Sequence, residues 1–274
     1  MDEPQANRTH KASAFSLLFS NKKNLVEVYN AINGTSYPEN TEVEIITLSD
    51  ALFLEQLNDI AFVIDGKLVV LIEHQSTINE NMPLRMLMYM GREYERLTNS
   101  RDLYRENKIK IPTPEFIVLY NGRKEFPDFK EFRLSDSFEM QSGTCNLELV
   151  VKAYNINKGR NAEIAKKSPT LSGYGDFVAE INENLKTMNL PIAIKTAVRA
   201  CIRNKILLSF LESNGSEVEN MLFTEWNLKD ALEVAKEESE ARGVAIGEAK
   251  GMEKVFSLLE SGMSLTEAKK RLRL

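Results

Sequence analysis

The feature that most constrains this chain is a short apolar run with a turn in front of it. Leu68–Ile72 reads LVVLI, apolar at every position. Side chains along a strand alternate between faces. A strand that is apolar on both faces is covered on both, so helices lie against its sheet. Asp59–Ile64 forms a second strand-like run, and Asp65-Gly66 between the two is a strong hairpin dipeptide. Glu73, His74 and Gln75 follow the apolar run directly. A carboxylate at the end of a buried strand is costly unless it is paired or bound to a metal.

The flanking segments complete a mixed α/β pattern. Residues 11–33 carry apolar groups at mostly helical spacing and stop at Gly34, with Asn21-Lys22-Lys23-Asn24 as a break between two helices. Residues 43–48 and 53–56 read as short extended runs. Residues 82–97 read as a helix with Pro83 in its first turn and a stripe of Leu84, Leu87, Met88, Gly91, Tyr94 and Glu95. Strands are expected at 115–120, stopped by Asn121-Gly122, and at 147–154. Helices follow at 174–188, 191–212 and 216–224, the last with Ser216 and Glu219 as a capping box.

Composition narrows the classes. With 274 residues, 43% hydrophobic and 27% charged, the chain reads as a globular protein. No stretch approaches the roughly 20 apolar residues of a membrane span, and the polar start MDEPQANRTHK is unlike a signal peptide. Two distant cysteines, Cys145 and Cys201, lack metal-ligand spacing and fit a reduced, cytoplasmic protein. Two histidines, His10 and His74, exclude a multi-histidine zinc site. No nucleophile elbow, Walker A loop or dinucleotide-binding turn occurs. The net charge of -5 runs against the basic character common in nucleic-acid-binding proteins. Cations bound at a carboxylate site offset that charge locally.

Asp59, Glu73 and Gln75 are the candidate chemistry. Two close carboxylates favour a hard cation between them, Mg²⁺ or Mn²⁺. Such an ion polarises a phosphodiester and lowers the pKa of bound water. Gln75 can orient water or donate to a phosphate. The geometry depends on the turn. A two-residue loop pairs Asp59 with Ile72 and puts the carboxylates on opposite faces. A three-residue loop or a bulge puts them on one face, and the functional reading requires this odd register. On spacing alone the plainer reading is favoured, with Asp59 starting a strand and Glu73 and Gln75 as polar strand-end residues. His74 faces away from Glu73 and reads as structural.

At these residues the sequence resembles the recombination-promoting nuclease family, also labelled PD-(D/E)XK nuclease family transposase or YhgA-like putative transposase. LIEHQS followed by NMPLRMLMYM resembles the end of that family's third core strand and the helix after it. LFSNKKNLVEVYNAINGT resembles its opening helix, and LELVVKAYNIN a later core strand. The helical run from Ile192 to Trp226 and the Gly-every-four tail resemble its C-terminal half.

The resemblance implies a restriction-endonuclease-like αβββαβ core with a helical C-terminal region. It also implies Mg²⁺-dependent (or Mn²⁺-dependent) endonuclease cleavage of DNA, linked to recombination. In this reading Asp59 is the strand aspartate, Glu73 the glutamate of E-x-K, and Gln75 stands where the wider superfamily has lysine. Loss of that positive charge removes a transition-state contact. Glu27 on the first helix stands where many superfamily members carry an acidic residue, and is a lesser metal-ligand candidate. The alternative is a weak or inactive nuclease fold serving as a DNA-binding or oligomeric regulatory module.

Lys195, Arg199 and Arg203 recur four apart on a predicted helix, with Lys205 nearby, as a candidate phosphate-contacting stripe. Lys158, Arg160, Lys166 and Lys167 form a second basic cluster. Solvated helix faces are the plainer reading of both. Three regions are expected: a core over 1–160, a helical region over 161–229, and an arm over 230–274. In the arm, Gly243, Gly247 and Gly251 recur every four residues. Each glycine costs a helix about 1 kcal/mol against alanine, so the arm is expected to be a marginal helix or flexible. Small residues four apart also suit close helix approach and a homo-oligomer through the arm. Ser264 and Glu267 form a terminal capping box.

Overall fold

The computed structural model describes residues 13–46, 59–74, 79–98, 101–139, 145–264, 267, 270 and 271; at 59, 73, 74, 228–249 and 253 it describes the backbone alone. The extended run expected at 53–56 lies outside the described residues.

The opening segment forms α1 (Ala14–Phe19) and α2 (Lys22–Asn33). Ser13 and Ser16 close a capping box on α1, and the Asn21 side chain accepts from Lys23 N to start α2. Two consecutive N-caps are the physical reason for the break at this point. Gly34, with φ 67°, ends α2 in the left-handed conformation.

The strands are β1 (Val43–Ile46), β2 (Asp59–Ile64), β3 (Lys67–His74), β4 (Thr113–Tyr120), β5 (Phe129–Arg133) and β6 (Val150–Asn155). They form one six-stranded sheet in the order β1-β2-β3-β4-β6-β5. β3, β4 and β6 are mutually parallel, and β1, β2 and β5 run against their neighbours. Helix α3 (Met82–Leu97) carries the chain from β3 to parallel β4.

Alternation along the strands feeds two cores. Ile60, Phe62, Ile64, Val69, Leu71, Ile117 and Leu119 pack with Phe15, Leu25 and Tyr29 of the first two helices. Leu171, Tyr174 and Val178 of α5 (Pro169–Asn184) join the same cluster. Ala61, Leu68, Val70, Ile72, Phe116 and Val118 pack with Met82, Met86, Tyr89 and Met90 of α3. The doubly apolar strand therefore sits where its sequence requires, between helices on both faces.

The α3 stripe differs from the expected one. Its buried side is Met82, Pro83, Met86, Tyr89, Met90 and Glu93, while Leu84 and Met88 are 38% and 50% exposed. Both rows have helical spacing, and packing on the sheet selects the row with Tyr89 and Met90. Glu93 is buried with its carboxylate 2.7 Å from Arg96.

After β6 come α4 (Ala162–Lys167), α5, α6 (Leu190–Arg203) and α7 (Leu208–Glu260). Residues 216–224 are helical as expected, but no helix starts at Ser216. Helix α7 runs through Ser216 and also through Gly243, Gly247 and Gly251. The terminal capping box forms, with Ser264 N donating to Glu267 Oε2 at 3.0 Å and Glu267 N to Ser264 Oγ at 3.4 Å. The chain divides into two compact units, Met1–Phe223 and Thr224–Leu274. Among the described residues no helix is long and apolar enough to cross a membrane.

Candidate active site

Four strand ends meet along one edge of the sheet. β2 begins at Asp59, whose register partner is Ile72 near the end of β3. The last residue of β3, His74, pairs with Tyr120, which in turn pairs with Asn155 at the end of β6. The carboxyl ends of parallel strands are where open α/β sheets bind ligands. Asp59, Glu73, Asn121 and Asn155 all lie at this edge, on or directly beyond the strand ends.

The turn that sets the hairpin register has two residues. Asp65 and Gly66 both have positive φ, 47° and 69°, and Ile64 pairs with Lys67. This is the type I′ pattern, favoured because its twist matches that of the strands. The odd-length loop or bulge expected for a shared carboxylate face is not formed. Position 59 continues the set of Ala61 on the α3 side, while position 73 continues the set of Leu71 on the α1/α2 side. Gln75 lies outside the described residues.

A group of asparagines organises the neighbouring loops. Asn155 Nδ2 donates to Phe126 O at 2.8 Å, and its Oδ1 accepts from Asn157 N at 3.1 Å. Asn157 Nδ2 donates to Gly122 O at 3.0 Å. Asn161 Nδ2 donates to Asp128 O at 2.6 Å and Asn155 O at 2.8 Å. Ile156 N donates to Tyr120 O, and the Tyr120 hydroxyl donates to Lys124 O. A Cβ at Gly122 would stand 2.6 Å from the Tyr120 Oη, so the chain passes too close to that ring for any other residue. Asn121, between Tyr120 and Gly122, is 3% exposed, and neither its Oδ1 nor its Nδ2 has a hydrogen-bond partner among the described residues. Leaving a buried amide unpaired costs roughly 1–3 kcal/mol. In the sequence this asparagine reads only as a strand stop, because its burial depends on tertiary packing.

Glu27 is placed differently from a metal ligand. Its Oε1 accepts from Ser168 Oγ at 2.6 Å and Thr170 N at 2.9 Å, and its Oε2 from Thr170 Oγ1 at 3.2 Å. The carboxylate caps the start of α5, where the helix dipole favours negative charge.

Lys195, Arg199 and Arg203 are exposed on α6, with Lys205 just beyond it, and none forms an ion pair with a described residue. Lys158 and Arg160 lie 3.7 and 3.3 Å from Asp176 and Asp128. They line a cavity of about 30 Å³ with Asn157, Asn161 and Asp176, beside the end of β6. Among the described residues no group of three His, Cys, Asp or Glu side chains is arranged to hold a metal.

The protein is a layered α/β fold with a six-stranded sheet and polar groups gathered at its parallel strand ends. A sequence model of the family described as "Putative transposase, YhgA-like" matches residues 46–160. The match begins at the end of β1 and spans the hairpin, α3, β4, β5 and β6. No curated protein and no solved structure gives a significant match.

Proposed function

We propose that the chain is a metal-dependent endonuclease acting on DNA, with Glu73 as its principal carboxylate. The observation that carries this reading is Glu73's place at the carboxyl end of β3, inside the segment that a transposase family model matches. That family name speaks of DNA processing, and the element order of helix, three strands, helix and strand agrees with a restriction-endonuclease-like core.

Glu73 would supply carboxylate oxygens, hard donors that suit Mg²⁺ or Mn²⁺, while Asp59 joins it on one face only if the hairpin shifts from its even register. When bound, such an ion supplies Lewis-acid polarisation and a more acidic water. Gln75 orients the attacking water or donates to the phosphate; it cannot replace the charge of a lysine. In hydrolysis, the water oxygen bonds to phosphorus as one P–O ester bond breaks, and the departing oxygen takes up a proton. The exposed row of Lys195, Arg199 and Arg203, with Lys205, is offered to backbone phosphates.

The even register favours a second reading, a nuclease fold that binds DNA without cutting it. One experiment separates the two. Purified protein is incubated with supercoiled plasmid and Mg²⁺ or Mn²⁺, beside Asp59→Ala and Glu73→Ala. Nicking is expected from the wild type, with a loss on the order of a hundredfold or more in each variant. Equal nicking by all three proteins overturns the assignment. DNA binding without nicking by the wild type selects the second reading.

A further inference from the structure

We infer that the open half of the sheet on the α1/α2 side takes an unpaired nucleotide of the DNA substrate, its base stacked on Phe129 and Tyr154 and its phosphate drawn to Lys152. The inference rests on the nuclease reading and deepens it, because it gives the substrate single-stranded character beside Glu73.

One row of register partners crosses the sheet. Position 73 pairs with Leu119, Leu119 with Tyr154, and Tyr154 with Phe129. Register partners share a face. Here it is the α1/α2 face, where Leu119 is buried in the core and Tyr154 packs at its margin. Burial stops there. Beyond Leu119 this face carries Val150, Lys152 and Tyr154 on β6 and Phe129, Glu131 and Arg133 on β5, each exposed or half-buried. The other face of the same two strands is closed, with Phe132, Val151 and Ala153 in the core on the α3 side.

The open face has the chemistry of a single-strand platform. Phe129 is 45% exposed, and its ring centroid lies 5.1 Å from that of Tyr154. Any base stacks on such rings, because every base has a π-face. Lys152 stands two residues before Tyr154 on the same face, exposed, and forms no ion pair with a described residue. Glu131 is taken up by Arg133, and Arg160 reaches Asp128 beside Phe129. A duplex keeps its bases stacked inside and offers this face phosphates alone. A neutral sugar would stack and leave Lys152 unused. Neighbouring strands lie about 4.8 Å apart, so along this row position 73 is about 10 Å from Tyr154 and about 14 Å from Phe129. A base held there is a few nucleotides of extended strand from the phosphate that Glu73 is proposed to act on.

The test uses the full chain in EDTA, so that neither cleavage nor a metal enters the reading. The probes are a fluorescein-labelled oligothymidylate and a duplex of the same length. Fluorescence anisotropy compares wild type with Phe129→Leu, Phe129→Trp and Lys152→Ala, and thermal melting checks that each is folded. Phe129→Leu is expected to lose roughly fivefold to a hundredfold in oligothymidylate affinity and little in duplex affinity. Phe129→Trp is expected to bind at least as tightly as wild type. It should also show a quench by the oligonucleotide that the buried Trp226 of the wild type does not give. Lys152→Ala is expected to lower the slope of log affinity against log salt by about 0.7. Plasmid nicking by the wild type with Mg²⁺ is measured alongside.

Equal oligothymidylate affinity of wild type and Phe129→Leu, or an equal loss for the duplex, overturns the inference. Should Phe129→Leu fail to fold, the other two variants decide, and an unquenched tryptophan with an unchanged salt slope overturns it. Plasmid nicking by a wild type that does not bind oligothymidylate overturns the inference alone. Phe129-dependent oligothymidylate binding by a wild type that does not nick overturns the nuclease reading and leaves the stacking face to the DNA-binding one.

Discussion

Tyr29 is buried against the sheet, where its hydroxyl donates to Glu115 Oε2 at 3.0 Å and accepts from Lys67 Nζ at 2.9 Å. Desolvation raises the Tyr29 pKa most, with the Glu115 contact adding to it and Lys67 opposing it. The hydrogen bond to Tyr29 raises the Lys67 pKa. Groups whose folded pKa lies above the unfolded value stabilise the fold below the unfolded pKa. That contribution is lost as pH rises through the folded value. Thermal stability is therefore expected to fall above about pH 10, where both groups ordinarily titrate. Tyr29→Phe should lose on the order of 1 kcal/mol at neutral pH and show a shallower alkaline decline. Identical alkaline slopes in melting curves of the two proteins would contradict this. Neither Tyr29 nor Glu27 is legible as a network residue in the sequence. Glu27 meets Ser168 across 141 positions of chain, and no local pattern encodes such a partner.

At the scale of elements, α3 shows how far periodicity reaches. Its bounds follow from Pro83 in the first turn and from the length of the apolar pattern. Which apolar row is buried was not readable, because Met and Leu alternate around the helix and either row could face the sheet. Gly91 falls on the exposed side, and a Cβ there meets nothing within 4 Å. Gly91→Ala is expected to stabilise the protein by roughly 0.5–1 kcal/mol through reduced unfolded-state freedom and better helix propensity. That corresponds to a melting temperature roughly 1–4 °C higher, and a lower one would show that the helix face has a partner. Strand β5, FKEFR, went unread because its charged residues hide a short edge strand whose pairing with β6 comes from the sheet. The hairpin was legible as a hairpin, and its Asp65-Gly66 dipeptide favours the two-residue turn that forms. The resemblance to a nuclease called for the other register.

For the whole molecule, the arm raises the remaining question. The backbone is helical through all three glycines spaced four apart, in spite of their cost. A helix of weak propensity is most easily held by packing against another helix. The chain is therefore expected to self-associate through residues 230–274. Light scattering on the full chain and on residues 1–229 should show a smaller assembly for the truncated form. Equal oligomeric states would remove the arm's proposed role.

Local patterning already implies a doubly covered sheet, places most helices and the central hairpin, and sets polar groups directly after the buried strand. These are consequences of period-2 and period-3.6 alternation and of turn chemistry, which involve residues a few positions apart. The packed fold sets the rest: Glu27 caps a distant helix, one row of α3 is buried, and Asn121 is buried at the strand edge with no hydrogen-bond partner among the described residues. The fate of a polar side chain depends on which donors and acceptors the folded chain brings to it, and here those come from strands and loops far along the sequence.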